Sequence, residues 1–152
     1  MKHTDVQRIP LQLSQGCVIA SIQIDLTEAI LIQFRKDLLD CLYETGAKGL
    51  IIDLSGVEVM DSEDFQALNK TLSMASLMGA KAILTGFQPG VVSSLIDLNV
   101  EIDHLNATLN LDSAFDLMRH LNGELGDNLE EEENVVREIE ENGTAEISLD
   151  WS

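Results

Sequence analysis

Residues 49–68, GLIIDLSGVEVMDSEDFQAL, place a short apolar segment, a polar turn and an amphipathic segment in direct succession. Residues 50–54 are almost continuously apolar, which is typical of a strand buried on both faces of a sheet. Residues 55–61 contain the turn formers Ser and Gly and are expected to form a loop. From Ser62 to Met78 the apolar residues recur at steps of three and four. The stretch therefore predicts a buried strand, a loop and a helix.

The alternation of strands and helices continues on both sides of this stretch. Gly16 separates two strand-like runs, Gly46 and Gly79 follow helical runs as terminators, and Pro89 suits the first turn of a helix. The predicted strands cover residues 9–14, 17–24, 50–54, 82–85 and, weakly, 102–107; the predicted helices cover 27–45, 62–78, 89–99 and 112–125. This order predicts an α/β fold with a mixed, mostly parallel sheet of four to five strands and about four helices.

The composition fits one globular domain in a reducing compartment. The chain has 152 residues, 45% of them hydrophobic and only 4% aromatic, so aliphatic side chains are expected to build the core. We expect neither a signal peptide nor a membrane span, because residues 1–10 contain no apolar stretch and no apolar run approaches the roughly 18–20 residues that a span needs. Cys17 and Cys41 have no metal or disulfide spacing, and we expect buried free thiols in a cytoplasmic protein.

Negative charge is concentrated at the C-terminal end. The formal net charge is −18, which disfavours binding to nucleic acid or to anionic membranes. Residues 127–152 hold ten acidic residues and one Arg. The sequence thus predicts a folded domain over residues 1–126 and a disordered acidic tail over residues 127–152. The tail is either a solubilising appendage or carries a short recognition strand in residues 145–151, where apolar residues alternate up to the single tryptophan.

Two segments resemble the STAS (anti-anti-sigma factor) family. In residues 49–68 the resemblance lies in Asp-Leu-Ser after the strand and Asp-Ser at the helix start. Residues 76–100, SLMGAKAILTGFQPGVVSSLIDLNV, are similar to a segment shared by STAS proteins of the stressosome, through Leu-Met-Gly-Ala-Lys, Leu-Thr-Gly and Gln-Pro. The resemblance covers residues 8–125 and is nearest to the short scaffold proteins of that assembly. It implies a STAS-type fold for residues 1–126.

The resemblance also implies roles for individual residues. Ser62 falls on the serine that a dedicated RsbT-like serine/threonine kinase phosphorylates, and Asp61 on the acidic residue before it. Thr85 falls on a possible second phosphorylation site. Partner binding is expected at Asp61, Ser62, Glu63, Thr85 and Gly86.

The implied function is that of a regulatory binding protein without catalysis or cofactor. It would sequester the kinase and release it when Ser62 is phosphorylated, and a phosphatase would remove the phosphate. The implied setting is a large homo- and hetero-oligomeric assembly with an RsbR-like STAS sensor paralogue. Many single-domain antagonists have Asp-Ser-Ser-Gly where this chain has residues 61–64, Asp-Ser-Glu-Asp. That difference favours the stressosome branch over the alternative, a free monomeric antagonist that binds an anti-sigma kinase directly.

The chemistry of the residues themselves leaves two roles open for Ser62. A serine at a helix start is expected to be an N-cap, whose oxygen accepts a backbone N–H. The same helix end favours a bound or covalent phosphate through its free N–H groups and dipole. Asp61, Glu63 and Asp64 oppose that phosphate by like-charge repulsion, since it adds a charge of about −1.5 to −2. We therefore expect phosphorylation to change the surface field more than the fold.

Enzymatic functions find little support in the sequence. Ser62 lies in no Gly-x-Ser-x-Gly elbow, and residues 86–90 contain no lysine of a phosphate-binding loop. A receiver domain needs an acidic pair after the first strand, and Asp25 alone does not supply it. His3, His104 and His120 are scattered without metal spacing. Asp53, at the end of a strand, is expected to be a hydrogen-bonded structural acid.

Overall fold

The computed structural model of the chain describes residues 7–99 and 105–123. The chain divides into two compact units, Met1–Met118 and Arg119–Ser152. Of the second unit, only residues 119–123 are described, and they are helical. The predicted acidic tail, residues 127–152, lies outside the described residues.

A tight hairpin forms one edge of the sheet. β1 (Leu11–Ser14) pairs antiparallel with β2 (Cys17–Ser21), with Ser14 opposite Cys17. The two connecting residues, Gln15 and Gly16, have φ of 53° and 77°. Positive φ at both positions of a two-residue loop gives the twist that an antiparallel pair requires, and glycine adopts it without strain. The predicted junction at Gly16 is confirmed.

Three further strands extend the sheet in parallel. β3 (Gly49–Asp53), β4 (Lys81–Thr85) and β5 (Ala107–Thr108) complete a five-stranded sheet in the order β1-β2-β3-β4-β5, in which only the first pair is antiparallel. The predicted α/β fold with a mostly parallel sheet is confirmed. The weak strand predicted at 102–107 begins only at Ala107 among the described residues, while residues 100–104 lie outside them.

Helices cover the sheet through their apolar faces. α1 (Glu28–Thr45) begins after Thr27, whose Oγ1 accepts from the Ile30 N–H, and ends at Gly46 with φ of 66°. α2 (Ser62–Leu77) and α3 (Pro89–Asp97) follow β3 and β4, and α4 covers residues 111–123. The buried helical side chains include Phe34, Leu38, Leu42, Phe65, Leu68, Leu72, Ala75, Ala114 and Met118.

α3 has apolar residues both on its buried face and on its exposed face. Val91 and Leu95 are buried in the core, whereas Val92 and Ile96 are 45% and 55% exposed. Both cysteines are free thiols, as expected, but only Cys17 is buried as predicted, whereas Cys41 is partly exposed. Within the described residues, no helix is both long and apolar enough to cross a membrane.

Candidate functional site

Two loops leave the same edge of the sheet because β3 and β4 are parallel neighbours. Asp53 and Thr85, the last residues of these strands, lie opposite each other in the register. The Leu54 N–H donates to the Thr85 carbonyl at 2.8 Å, so the pairing extends one residue into the first loop. Residues 55–61 then lead to α2, and residues 86–88 lead to α3. The candidate site therefore lies at the carboxyl edge of the sheet, as expected for this fold class.

The loop of residues 55–61 is anchored to the core of the domain. Val57 and Met60 are buried, and the Val57 N–H donates to the Leu54 carbonyl at 2.9 Å. The Asp53 Oδ1 accepts from the Ser55 N–H at 2.9 Å, which confirms Asp53 as a hydrogen-bonded structural acid. The helix that follows thus starts from a loop fixed by apolar burial and by backbone hydrogen bonds.

The N-cap of α2 is Asp61, not Ser62. The Asp61 Oδ1 accepts from the Asp64 N–H at 2.8 Å, and the helix begins at Ser62, its first residue. The expectation that Ser62 caps the helix is therefore wrong. Asp61 has extended backbone, with φ of −89° and ψ of 176°, which directs its side chain back to the free N–H groups. Ser62 is left half-buried, and within the described residues no hydrogen bond engages its hydroxyl.

Negative charge crowds the start of α2. Asp61 and Glu63 are exposed, and Asp64 is half-buried. Burial raises the pKa of Asp64, and the charges of Asp61 and Glu63 raise it further, against a lowering by a hydrogen bond from the Asp61 backbone. Ser62 therefore lies inside a cluster of carboxylates, and the negative charges around it disfavour the ionised form of Asp64.

Thr85 and Gly86 lie beneath this surface. Thr85 is fully buried, its Oγ1 donates to the Thr108 carbonyl at 3.2 Å, and it accepts from the Thr108 hydroxyl at 2.9 Å. Gly86 has φ of 77° and packs against the first loop: a Cβ there would lie 2.9 Å from the Asp53 Oδ1. The structure thus brings Asp61, Ser62 and Glu63 together at the surface and places Thr85 in the interior. The roles predicted for Thr85 stay predictions that require β5 to move away.

Gln88 joins the two loops and was missed by the sequence reasoning. Its side-chain Nε2 donates to the Ser55 carbonyl, 33 residues away along the chain. The sequence did offer one indication of its role. Gln88 occupies the N-cap position before Pro89, and glutamine is not among the residues preferred there.

A groove between α1 and α2 opens beside Ser62. Its volume is about 380 Å³, and its lining includes Glu28, Ile32, Arg35, Glu63 and Asp64. The Arg35 Nε donates to the Thr71 Oγ1 at 3.2 Å, which ties this cation to α2. The surface next to Ser62 thus combines exposed aliphatic area with carboxylates.

The part of the chain that the structure describes contains no candidate metal-binding site. Residues 7–99 and 105–123 contain no group of three or more His, Cys, Asp or Glu side chains placed to hold an ion.

Comparison with known proteins identifies the relatives of this arrangement. The family model described as "STAS domain" matches residues 8–114. The structure superimposes on a variant of RsbS from Moorella thermoacetica in which glutamate replaces a serine, with a TM-score of 0.66 and 28% identity over 75% of this chain and 97% of that one. It also superimposes on a protein from a solved structure of "the stressosome, a signal integration and transduction hub", with a TM-score of 0.61 and 27% identity over 74% of this chain and 98% of that one.

A curated relative matches over a shorter stretch. The chain is 29% identical over 65 residues to the "RsbT co-antagonist protein RsbRB" of Bacillus subtilis. That alignment covers 43% of this chain and only 24% of RsbRB, so the chain corresponds to about a quarter of that relative's length.

The capping geometry separates the effects of two neighbouring substitutions on stability. We expect Asp61→Ala to lower the free energy of unfolding by about 0.5–2 kcal/mol, because the Asp64 N–H loses its acceptor. Ser62→Ala should change it by less than about 0.5 kcal/mol, since Ser62 makes no capping bond. Urea denaturation measures both, and Asp61→Asn, which can still cap, is the control. A larger loss for Ser62→Ala than for Asp61→Ala would contradict the assignment of the cap.

The raised pKa of Asp64 predicts a pH dependence. An acid whose pKa is higher in the folded state binds its proton more tightly there, so protonation stabilises the fold. This contribution to the free energy of unfolding is complete below the ordinary pKa near 3.8 and is lost as the pH rises through the pKa of the folded state. Asp64→Asn should therefore be more stable than the wild type at pH 7, and this advantage should shrink below pH 4. Thermal unfolding between pH 3 and pH 8 tests this. An Asn variant less stable than the wild type at pH 7 would rule it out.

Proposed function

The chain belongs to the STAS domain family, and from this premise we propose that it is a phosphorylation-switched binding protein that holds a serine/threonine kinase and releases it when Ser62 is phosphorylated. The observation that carries the proposal is the position of Ser62. It is the first residue of α2, at the carboxyl edge of the sheet and among acidic side chains, and within the described residues no hydrogen bond engages its hydroxyl.

The relatives of the chain support the proposal of a regulatory role. It is a member of the STAS group that contains stressosome proteins and anti-sigma factor antagonists, and RsbS and RsbRB are among its relatives. The name of RsbRB describes a co-antagonist of RsbT. We infer by this likeness that an RsbT-like kinase is the partner of the present chain, and that the chain itself performs no catalysis and needs no cofactor.

Ser62 is suited to be the switch because capping is assigned to its neighbour. The Asp61 carboxylate satisfies the Asp64 N–H, so the Ser62 hydroxyl can be modified without loss of a structural hydrogen bond. The modification adds a charge of about −1.5 to −2 to a surface that already carries Asp61, Glu63 and Asp64. The fold is expected to persist while the electrostatic potential of the surface changes strongly.

Thr85 is less suited to this role. Its hydroxyl both donates and accepts a hydrogen bond at the β4–β5 contact and has no exposed surface. A phosphate there would break both bonds and place at least one charge in the interior, which is strongly unfavourable. We therefore propose Ser62 as the switch in the folded domain, with Thr85 reachable only after β5 has separated from β4.

The surface around Ser62 fits a partner of mixed character. Val59, three residues before Ser62, is 76% exposed and offers an apolar contact. The groove between α1 and α2 adds Ile32 and the carboxylates of Glu28 and Glu63. A kinase surface with apolar residues flanked by Lys or Arg would complement this face, and a phosphate on Ser62 would change the balance of charge at its centre. The transfer of phosphate from ATP places the proposed cycle, with a phosphatase that reverses it, in the cytoplasm.

Substitutions at Ser62 test the switch. With a purified RsbT kinase and ATP, Ser62→Ala should receive no phosphate and stay bound, while mass spectrometry of the wild type should find phosphate on Ser62 and none on Thr85. Ser62→Asp should bind the kinase roughly three- to tenfold more weakly, since it adds one negative charge. Ser73→Asp, the same change at an exposed position farther along α2, is the matched control. Undiminished phosphorylation of Ser62→Ala would overturn the assignment.

Assembly distinguishes the two regulatory settings. By its likeness to stressosome proteins, we propose that the chain forms a large hetero-oligomer with an RsbR-like STAS sensor paralogue. Light scattering of the two co-expressed proteins should then detect one large particle that contains both chains. Two separate small species would favour the alternative, a free monomeric antagonist that binds an anti-sigma kinase directly.

A further inference from the structure

We propose that Gln88 is a positioning residue for the Ser62 switch, which it serves by fixing the loop of residues 55–61 from which α2 begins. The inference rests on the proposed function of Ser62 and extends it to a residue on a different loop. Its basis is a set of contacts between residues 86–90, here called the brace, and the switch loop of residues 55–61.

The central contact is a hydrogen bond between the two loops. Gln88 holds the N-cap position of α3, but within the described part of the chain its side chain makes no capping hydrogen bond. Its Nε2 donates instead to the Ser55 carbonyl. The amide thus serves the neighbouring loop and not its own helix, which distinguishes it from an ordinary helix cap.

Glycines at both ends of the brace permit the close approach. A Cβ at Gly86 would lie 2.9 Å from the Asp53 Oδ1 and 3.1 Å from the Ser55 backbone nitrogen. A Cβ at Gly90 would lie 3.2 Å from the Glu58 carbonyl. Side chains at these positions would push the loops apart, so the brace contacts the switch loop at its beginning and at its middle.

The opposite side of the switch loop is held by a different element. A Cβ at Gly56 would lie 2.8 Å from the Ile22 carbonyl and from the Gln23 Cα, in the segment that follows β2. Val57 and Met60 anchor the loop in the core. The loop therefore lies between the end of β2 and the brace, and the Gln88 amide fastens it on the brace side.

This arrangement has a consequence for kinase recognition. A kinase that docks on the start of α2 requires the switch loop in one conformation. If the loop samples several, the apparent affinity falls by the fraction of molecules that hold the competent one. Gln88 raises that fraction, and it acts through the loop without contacting the Ser62 hydroxyl itself.

Hydrogen exchange tests the brace without any kinase. Gln88→Met keeps the length of the side chain but cannot donate, so the amides of Ser55 and Val57 should exchange about 3- to 10-fold faster than in the wild type. Gln88→Lys, which retains a donor, should restore slow exchange. Gln12→Met, the same change at an exposed position of β1, is the control and should have no effect. Equal exchange in wild type and Gln88→Met, with circular dichroism confirming that both are folded, would overturn the inference.

A kinase assay then connects the brace to the switch. With a purified RsbT kinase, Gln88→Met should raise the KM for phosphorylation of Ser62 about 3- to 10-fold and leave kcat within about twofold. An unchanged KM in a wild type that is phosphorylated on Ser62 would overturn the positioning role alone. A wild type that receives no phosphate while exchange in Gln88→Met still rises would overturn the proposed function and leave the brace as a structural contact.

Discussion

β3 and β4 run in parallel with Asp53 opposite Thr85, and this pairing fixes where the loops of residues 55–61 and 86–88 emerge. The pairing continues beyond the strands through the hydrogen bond from Leu54 to the Thr85 carbonyl. Because side chains on both faces of these strands are mostly buried, a shift of the register by one residue would exchange the side chains that pack on the two faces. The start of α2 and the start of α3 are thereby held next to each other, and the contacts between the two loops follow from that constraint.

The division of labour between Asp61 and Ser62 follows from helix geometry. One side chain suffices to cap the Asp64 N–H, and the structure gives this task to the carboxylate. A charged cap is favoured by the dipole at a helix start, although burial, and after it the charges of Asp61 and Glu63, raise the pKa of Asp64. The hydroxyl of the neighbouring Ser62 consequently does not cap the helix, so a reversible modification of it would not remove a capping hydrogen bond.

Thr85 and Ser62 both lie near the carboxyl edge of the sheet, but they are not equivalent as modification sites. Thr85 ends β4 opposite Asp53, which precedes the switch loop by two residues, but two hydrogen bonds with Thr108 hold it in the interior. Ser62 lies beyond a seven-residue loop that reaches the surface, whereas Thr85 is still part of the sheet. The two positions would therefore differ in what modification requires. Ser62 could be modified in the intact fold, whereas Thr85 could be modified only after local opening of the β4–β5 contact.

Hydrophobic periodicity by itself determined the first four strands, the helices and the α/β class, because burial on two faces or on one stripe leaves a local pattern in the chain. Gly46 and Pro89 indicated the end of α1 and the start of α3, and the Asp-Ser pair indicated the serine that we propose as the switch. Tertiary structure alone decided that Asp61 is the cap, that Thr85 is buried, and that Gln88 bonds to Ser55. The choice between adjacent polar residues at a helix start depends on backbone angles, and contacts between residues 33 positions apart depend on strand register. Neither quantity is expressed in the local order of residue types.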